Sequence, residues 1–101
     1  MPNAKINVTV NGGTPPTTIQ IRLFAPDNSH IDIGTPKSTE HVYTNLTSGD
    51  YDLFITGMNA AGGNTVCTLT LDPGMTLTAP DNSPCTRDGN GYSVEFHFNV
   101  P

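Results

Sequence analysis

Gly91-Tyr92-Ser93-Val94-Glu95-Phe96-His97-Phe98-Asn99-Val100 decides the fold. Its apolar residues fall at every second position. Successive side chains of an extended chain point to opposite faces, so Tyr92, Val94, Phe96, Phe98 and Val100 share one side, and Ser93, Glu95, His97 and Asn99 the other. The same rhythm recurs upstream. Residues 5–10 set Ile6, Val8 and Val10 against Lys5, Asn7 and Thr9. Residues 18–24 set Ile19, Ile21 and Leu23 against Gln20, Arg22 and Phe24. Residues 51–56 send Tyr51, Leu53 and Ile55 to one face, and residues 65–71 send Cys67, Leu69 and Leu71 inward. Shorter strands are expected at 30–33, with Ile31 and Ile33 inward, and at 40–46. A short edge strand is expected at 75–78, inside a long irregular stretch over 75–90.

Turn-forming residues separate these segments. They are Asn11-Gly12-Gly13-Thr14-Pro15-Pro16, Pro26-Asp27-Asn28-Ser29, Gly34-Thr35-Pro36-Lys37, Thr47-Ser48-Gly49-Asp50 and Asp72-Pro73-Gly74, with a small-residue loop over 59–64. No window of eleven or more residues keeps a helical apolar spacing. Seven or eight antiparallel strands, each with one apolar side, read as an all-β, Greek-key β-sandwich whose two sheets bury those sides against each other. At 101 residues the chain is one domain, spanning 1–101, with no room for a second core. With no Trp, its core must be built from Ile, Val, Leu, Phe and Tyr.

Four basic residues, Lys5, Arg22, Lys37 and Arg87, stand against nine acidic ones, for a net charge of −5. A phosphate backbone attracts clustered Lys and Arg, so nucleic acid and anionic membrane surfaces are poor partners. No segment approaches the roughly 20 apolar residues of a membrane helix, and the start Met1-Pro2-Asn3-Ala4-Lys5 has no apolar signal core. Charged residues are only 13 %, and Thr and Asn carry much of the polarity instead. That composition is common in extracellular bacterial β-modules and sets the expectation of a secreted or cell-surface setting.

Tyr43-Thr44-Asn45-Leu46-Thr47-Ser48-Gly49-Asp50-Tyr51-Asp52-Leu53 resembles a pattern of carboxypeptidase regulatory-like, or transthyretin-like (prealbumin-like), domains. In these an aromatic strand runs into Asn-Leu, a turn with glycine, then Tyr and alternating apolar residues. The resemblance implies that Leu46 plugs the core, Gly49 permits the corner, and Tyr51 packs across the sandwich end with its hydroxyl free to bond backbone. The same stretch, with Met58-Asn59-Ala60-Ala61-Gly62, is similar to immunoglobulin-like sandwiches of the fibronectin type III kind, although their early buried Trp is missing. In both comparisons Ser48 replaces the Pro before the corner glycine. Neither resemblance brings catalytic residues.

Chemistry-bearing residues are few. Cys67 and Cys85 form an even pair and a candidate disulfide that would tether the intervening segment, contributing about 3 kcal/mol by the loop-entropy model; the alternative is a buried Cys67 and an unrelated Cys85. Their spacing is not that of a zinc pair. His30 with Asp32 offers a surface metal or base position, but His30, His41 and His97 read as ordinary surface histidines. Asp88-Gly89-Asn90-Gly91 opens like a calcium loop, yet Asn99 stands where a bidentate Glu is needed, so it reads as a turn. Asp50 and Asp52 flank Tyr51, where they suit a cation or, more simply, edge charges that discourage sheet pairing. Asn7-Val8-Thr9 and Asn45-Leu46-Thr47 fit the glycosylation pattern, which chance supplies readily in such a chain. No nucleophile elbow is present.

The expectation is therefore a non-enzymatic module without metal or cofactor. It would act in protein–protein assembly or self-assembly through edge strands, the last strand foremost. The alternative is carbohydrate binding on a platform of Phe24, Tyr43, Phe54 and Tyr92.

Overall fold

A computed structural model describes residues 2–12, 19–35, 38–78 and 80–101. The turns expected at 13–16 and 36–37, and the strand start expected at Thr18, lie outside these residues. Among the described residues nine strands form: β1 (Ala4–Asn11), β2 (Ile19–Phe24), β3 (His30–Thr35), β4 (Thr39–Tyr43), β5 (Gly49–Met58), β6 (Asn64–Leu71), β7 (Thr76–Thr78), β8 (Cys85–Asp88) and β9 (Gly91–Val100). They pair antiparallel in a four-stranded sheet, β4-β1-β6-β8, and a five-stranded sheet, β3-β2-β5-β9-β7. Apart from the β2–β3 hairpin, every connection changes sheet, giving a sandwich with crossed connections of the Greek-key kind.

The inward faces meet in one core. Ile6 and Val8 of β1 and Cys67 and Leu69 of β6 face Ile19, Ile21, Leu23, Leu53, Ile55, Val94, Phe96, Phe98 and Val100 of the larger sheet, all buried. The period-two reading of β1, β2, β5, β6 and β9 therefore holds. The stretch over 75–90 holds more order than expected. Besides the anticipated short strand, now β7, it contains β8, which makes nine strands where seven or eight were expected. The strand Cys85-Thr86-Arg87-Asp88 has one buried residue, so its alternation carries almost no apolar signal.

The corner before β5 behaves as the Leu46–Tyr51 pattern implies. Leu46 is half-buried against the core. Gly49 holds φ at 133°, and a Cβ there would stand 2.5 Å from Pro26 Cγ, so no side chain fits. The Tyr51 hydroxyl donates to the Thr47 carbonyl at 3.0 Å and accepts from the Thr47 amide at 3.0 Å. Its ring stacks on Phe98, with centroids 5.2 Å apart and planes 4° from parallel. A phenol thus ties the incoming loop to the sandwich end, as in tyrosine corners of other sandwiches.

Two placements differ from expectation with consequences for function. Ile31, expected inward, is exposed because β3 is an edge of the larger sheet. β9 was expected to be an exposed edge. It lies between β5 and β7, hydrogen-bonded on both sides. Local alternation fixes which face of a strand is buried but not which neighbour it takes. The edges are β3 and β7 in the larger sheet and β4 and β8 in the smaller.

Candidate functional site

The outer face of the five-stranded sheet gathers most of the chemically versatile side chains. Cross-strand partners share a face, so the register sets one row from edge to edge: His30, Phe24, Asp52, His97 and Thr78. The next row holds Asp32, Arg22, Phe54 and Glu95. Asp50 and Asn99 form a third pair, with the Asn99 Nδ2 donating to Asp50 Oδ1 at 2.9 Å.

Among the described residues, Asp52, Glu95 and His97 bring one potential ligand atom each to within 4.8 Å of one another. Nε2 of His97 lies 2.8 Å from Asp52 Oδ1, and the same nitrogen is hydrogen-bonded to Glu95 Oε2. The hydrogen bond with Glu95 holds the imidazolium above its ordinary range. Desolvation opposes that bond without cancelling it, and the charges of Asp52, Glu95 and Asp50 raise the group further. His30 and Asp32, read from the sequence as an ordinary surface pair rather than a metal or base position, make a surface contact, His30 Nδ1 to Asp32 Oδ1 at 3.0 Å, and Arg22 Nε reaches the same oxygen at 3.7 Å.

Asp81 builds the platform from the side. β7 ends at Thr78, and Asp81 continues the ladder: its amide donates to the Glu95 carbonyl at 3.2 Å and its Oδ2 accepts from the Glu95 amide at 2.8 Å. Its Oδ1 holds Arg87 Nη2 at 2.7 Å. The amide of Glu95 and, next, the guanidinium of Arg87 keep the Asp81 carboxyl below its usual 3.8 against an opposing desolvation effect. A carboxylate with a depressed folded pKa stabilises fully above the unfolded value and ceases to do so as pH falls through the folded one. Urea midpoints should therefore show part of the acid-induced loss below about pH 4 disappearing in Asp81→Asn, which is also less stable than the parent at pH 7. Parallel acid limbs for the two proteins would refute this role.

Several groupings read from the sequence take another form in the structure. Cys67 and Cys85 are direct partners across β6 and β8, yet both are free thiols and the expected bridge is not formed. The tether it was to supply exists without it. β8 pairs with β6 through the backbone, and Ser83 Oγ both accepts from the Leu69 amide at 2.8 Å and donates to its carbonyl at 3.0 Å. The sulfur of Cys85 accepts from Arg87 Nη1 at 2.8 Å. Burial pushes the Cys67 thiol up to about 12 and raises that of Cys85, so both stay protonated.

The four-ring platform does not assemble either. Tyr43 and Tyr92 are buried in the core. Phe24 and Phe54 do face outward, but at 88° to each other, and half-buried. They floor a shallow depression of about 480 Å³ with Gln20, Arg22 and Thr56. His41 turns to the inner side of edge strand β4, packed edge-on against Tyr43 at 4.6 Å. Gly89 and Asn90 make the expected change of direction, with Gly89 at φ 90°; it leads from one sheet to the other rather than into a hairpin. Asp50 and Asp52 sit on an internal strand, which removes the reading of them as edge guards.

The convergence of Asp52, Glu95 and His97 escaped the sequence reading only in part. Glu95 and His97, two apart on a period-two strand, must share a face; that Asp52 stands opposite His97 is a matter of register. Scans against protein-family models, curated proteins and solved structures each return no match. The chain is thus placed by its architecture, a two-sheet all-β sandwich.

Proposed function

We propose that this protein is a non-enzymatic assembly module that accepts an extended strand from another protein chain on the β3 edge. The observation that carries this reading is Ile31. It lies at the end of the larger sheet, where the four-stranded sheet does not cover it, and it is 55 % exposed. Exposed edges in natural sandwiches are usually guarded by Lys, Pro or an unbalanced charge. Between His30 and Gly34 the one such charge is Asp32, and it is already engaged by Arg22 and His30. Edge strand β4 of the smaller sheet also exposes an aliphatic side chain, Val42, at 43 %. Backbone groups of β3 would supply affinity to an added strand, and Ile31 a side-chain contact.

A transthyretin-like kinship belongs to this reading, supported by the Leu46–Tyr51 corner, and so does a secreted or cell-surface setting, supported by the sparsely charged, Thr- and Asn-rich composition. The carbohydrate alternative has less support, because crossed, half-buried rings offer no flat surface for a sugar to stack on. Light scattering after size-exclusion chromatography tests the proposal. The parent chain is expected to associate as concentration rises, and Ile31→Lys, at an exposed position, to remain monomeric and folded. A parent that stays monomeric at millimolar concentration and also captures no strand-forming peptide overturns it.

A further inference from the structure

We infer that Asp52, Glu95 and His97 form a binding site for a divalent transition-metal ion of the zinc class, independent of the edge-pairing role. The case begins with a mismatch. Two carboxylates address one ring nitrogen, Nε2 of His97. That nitrogen carries one proton or one lone pair, so its single N–H is divided between two acceptors. The two carboxylates meanwhile repel across less than 4.8 Å. A cation seated among the three atoms displaces the Nε2 proton to solvent, takes a lone pair from each residue and removes both conflicts.

The surroundings suit an ion. All three residues are half-buried on β5 and β9, neighbouring internal strands that hold ligands more firmly than loops do. Both backbone groups of Glu95 are pinned by Asp81, and the His97 carbonyl accepts from Thr78 Oγ1 at 3.3 Å. Asp50, held by Asn99, adds negative charge beside the triad. Among the described residues, both guanidinium groups are committed elsewhere, Arg22 to Asp32 and Arg87 to Asp81. An opening of about 290 Å³ beside Asp52, Thr78 and His97 leaves room for water to complete the coordination.

The donor set selects the metal. Calcium takes six to eight oxygens and magnesium an octahedron of them, whereas zinc is satisfied by three mixed nitrogen and oxygen ligands plus water. One imidazole with two carboxylates matches the latter. The ion would clamp β5 to β9 on the face opposite the core and raise thermal stability with the logarithm of its concentration once that exceeds the dissociation constant.

Zinc chloride titrated into the 101-residue chain at pH 7, followed by calorimetry and by the histidine ring resonances, tests the site. One equivalent is expected to bind and to shift the His97 ring signals. His97→Gln and Asp52→Asn should each weaken binding at least ten-fold, and His30→Gln should leave it unchanged. Calcium at the same concentration should shift nothing. Lack of saturable zinc binding, unaltered affinity in His97→Gln, or ring shifts confined to His30 or His41 would each overturn the inference. The ring shifts come from the unmutated protein, so the test survives a variant that fails to fold.

Discussion

Phe96→Ala is expected to lower the unfolding free energy by about 3–5 kcal/mol, enough to leave a domain of this size barely folded. Phe96 is completely buried and faces inward from β9, opposite Leu53 of β5. Truncation removes the apolar ring from the core and leaves a void that two hydrogen-bonded sheets cannot close, because their spacing is set by all the other core side chains. Phe96→Leu keeps most of the volume and should cost well under half as much. Urea denaturation of the three proteins measures both. A loss in Phe96→Ala below about 1.5 kcal/mol would mean that the sheets collapse onto the gap, and that the core is less rigid than its burial implies.

The second large effect is polar. Asn59 is 4 % exposed, and each end of its amide is used. Oδ1 accepts from Thr65 Oγ1 at 2.6 Å; Nδ2 donates to the Arg87 carbonyl at 3.1 Å and to the Gly89 carbonyl at 2.6 Å. Its backbone amide donates to the Asn90 carbonyl at 2.6 Å. One side chain therefore clamps the loop after β5 to the β8–β9 corner. Asn59→Ala strands a buried hydroxyl and two carbonyls, and a loss of about 3 kcal/mol is expected, since a buried polar group without a partner costs about 1–3 kcal/mol and water refills part of the space. Asn59→Asp should be no better, because it replaces the donor with an oxygen facing two carbonyl oxygens. A double-mutant cycle with Thr65→Val isolates the buried pair. An Asn59→Ala protein within 0.5 kcal/mol of the parent would remove this clamp from the account.

Asn59 also marks the limit of what local pattern conveys. Its sequence surroundings, Met58-Asn59-Ala60-Ala61-Gly62, read as a loop, and a loop it is. That the loop is anchored by a buried amide depends on β8 lying alongside, and β8 shows too little apolar alternation to be recognised. The strands with four or more alternating apolar and polar residues were legible because burial of one face imposes period two on the sequence. Neighbour relations were not. Gly91–Val100 looks the same whether it ends a sheet or lies inside one, so the edge was sought at the wrong strand and Asp52 was read as an edge charge. The cysteines illustrate the converse: their closeness in space was correctly sensed, but the segment between them is ordered by Ser83, Asp81 and the β8 ladder rather than by a covalent bond.

The interleaving of the strands bears on how the molecule comes to exist. Among the described strands only β2 and β3 are both consecutive in sequence and paired; β1 joins β6 across some 60 residues and β5 joins β9 across some 40. Ordering such distant partners costs chain entropy before any contact rewards it. Folding should accordingly be slow, on the order of milliseconds to seconds, and concerted. Until the wide loops close together, the apolar sides remain open to solvent, and it is then that the protein is most vulnerable to aggregation.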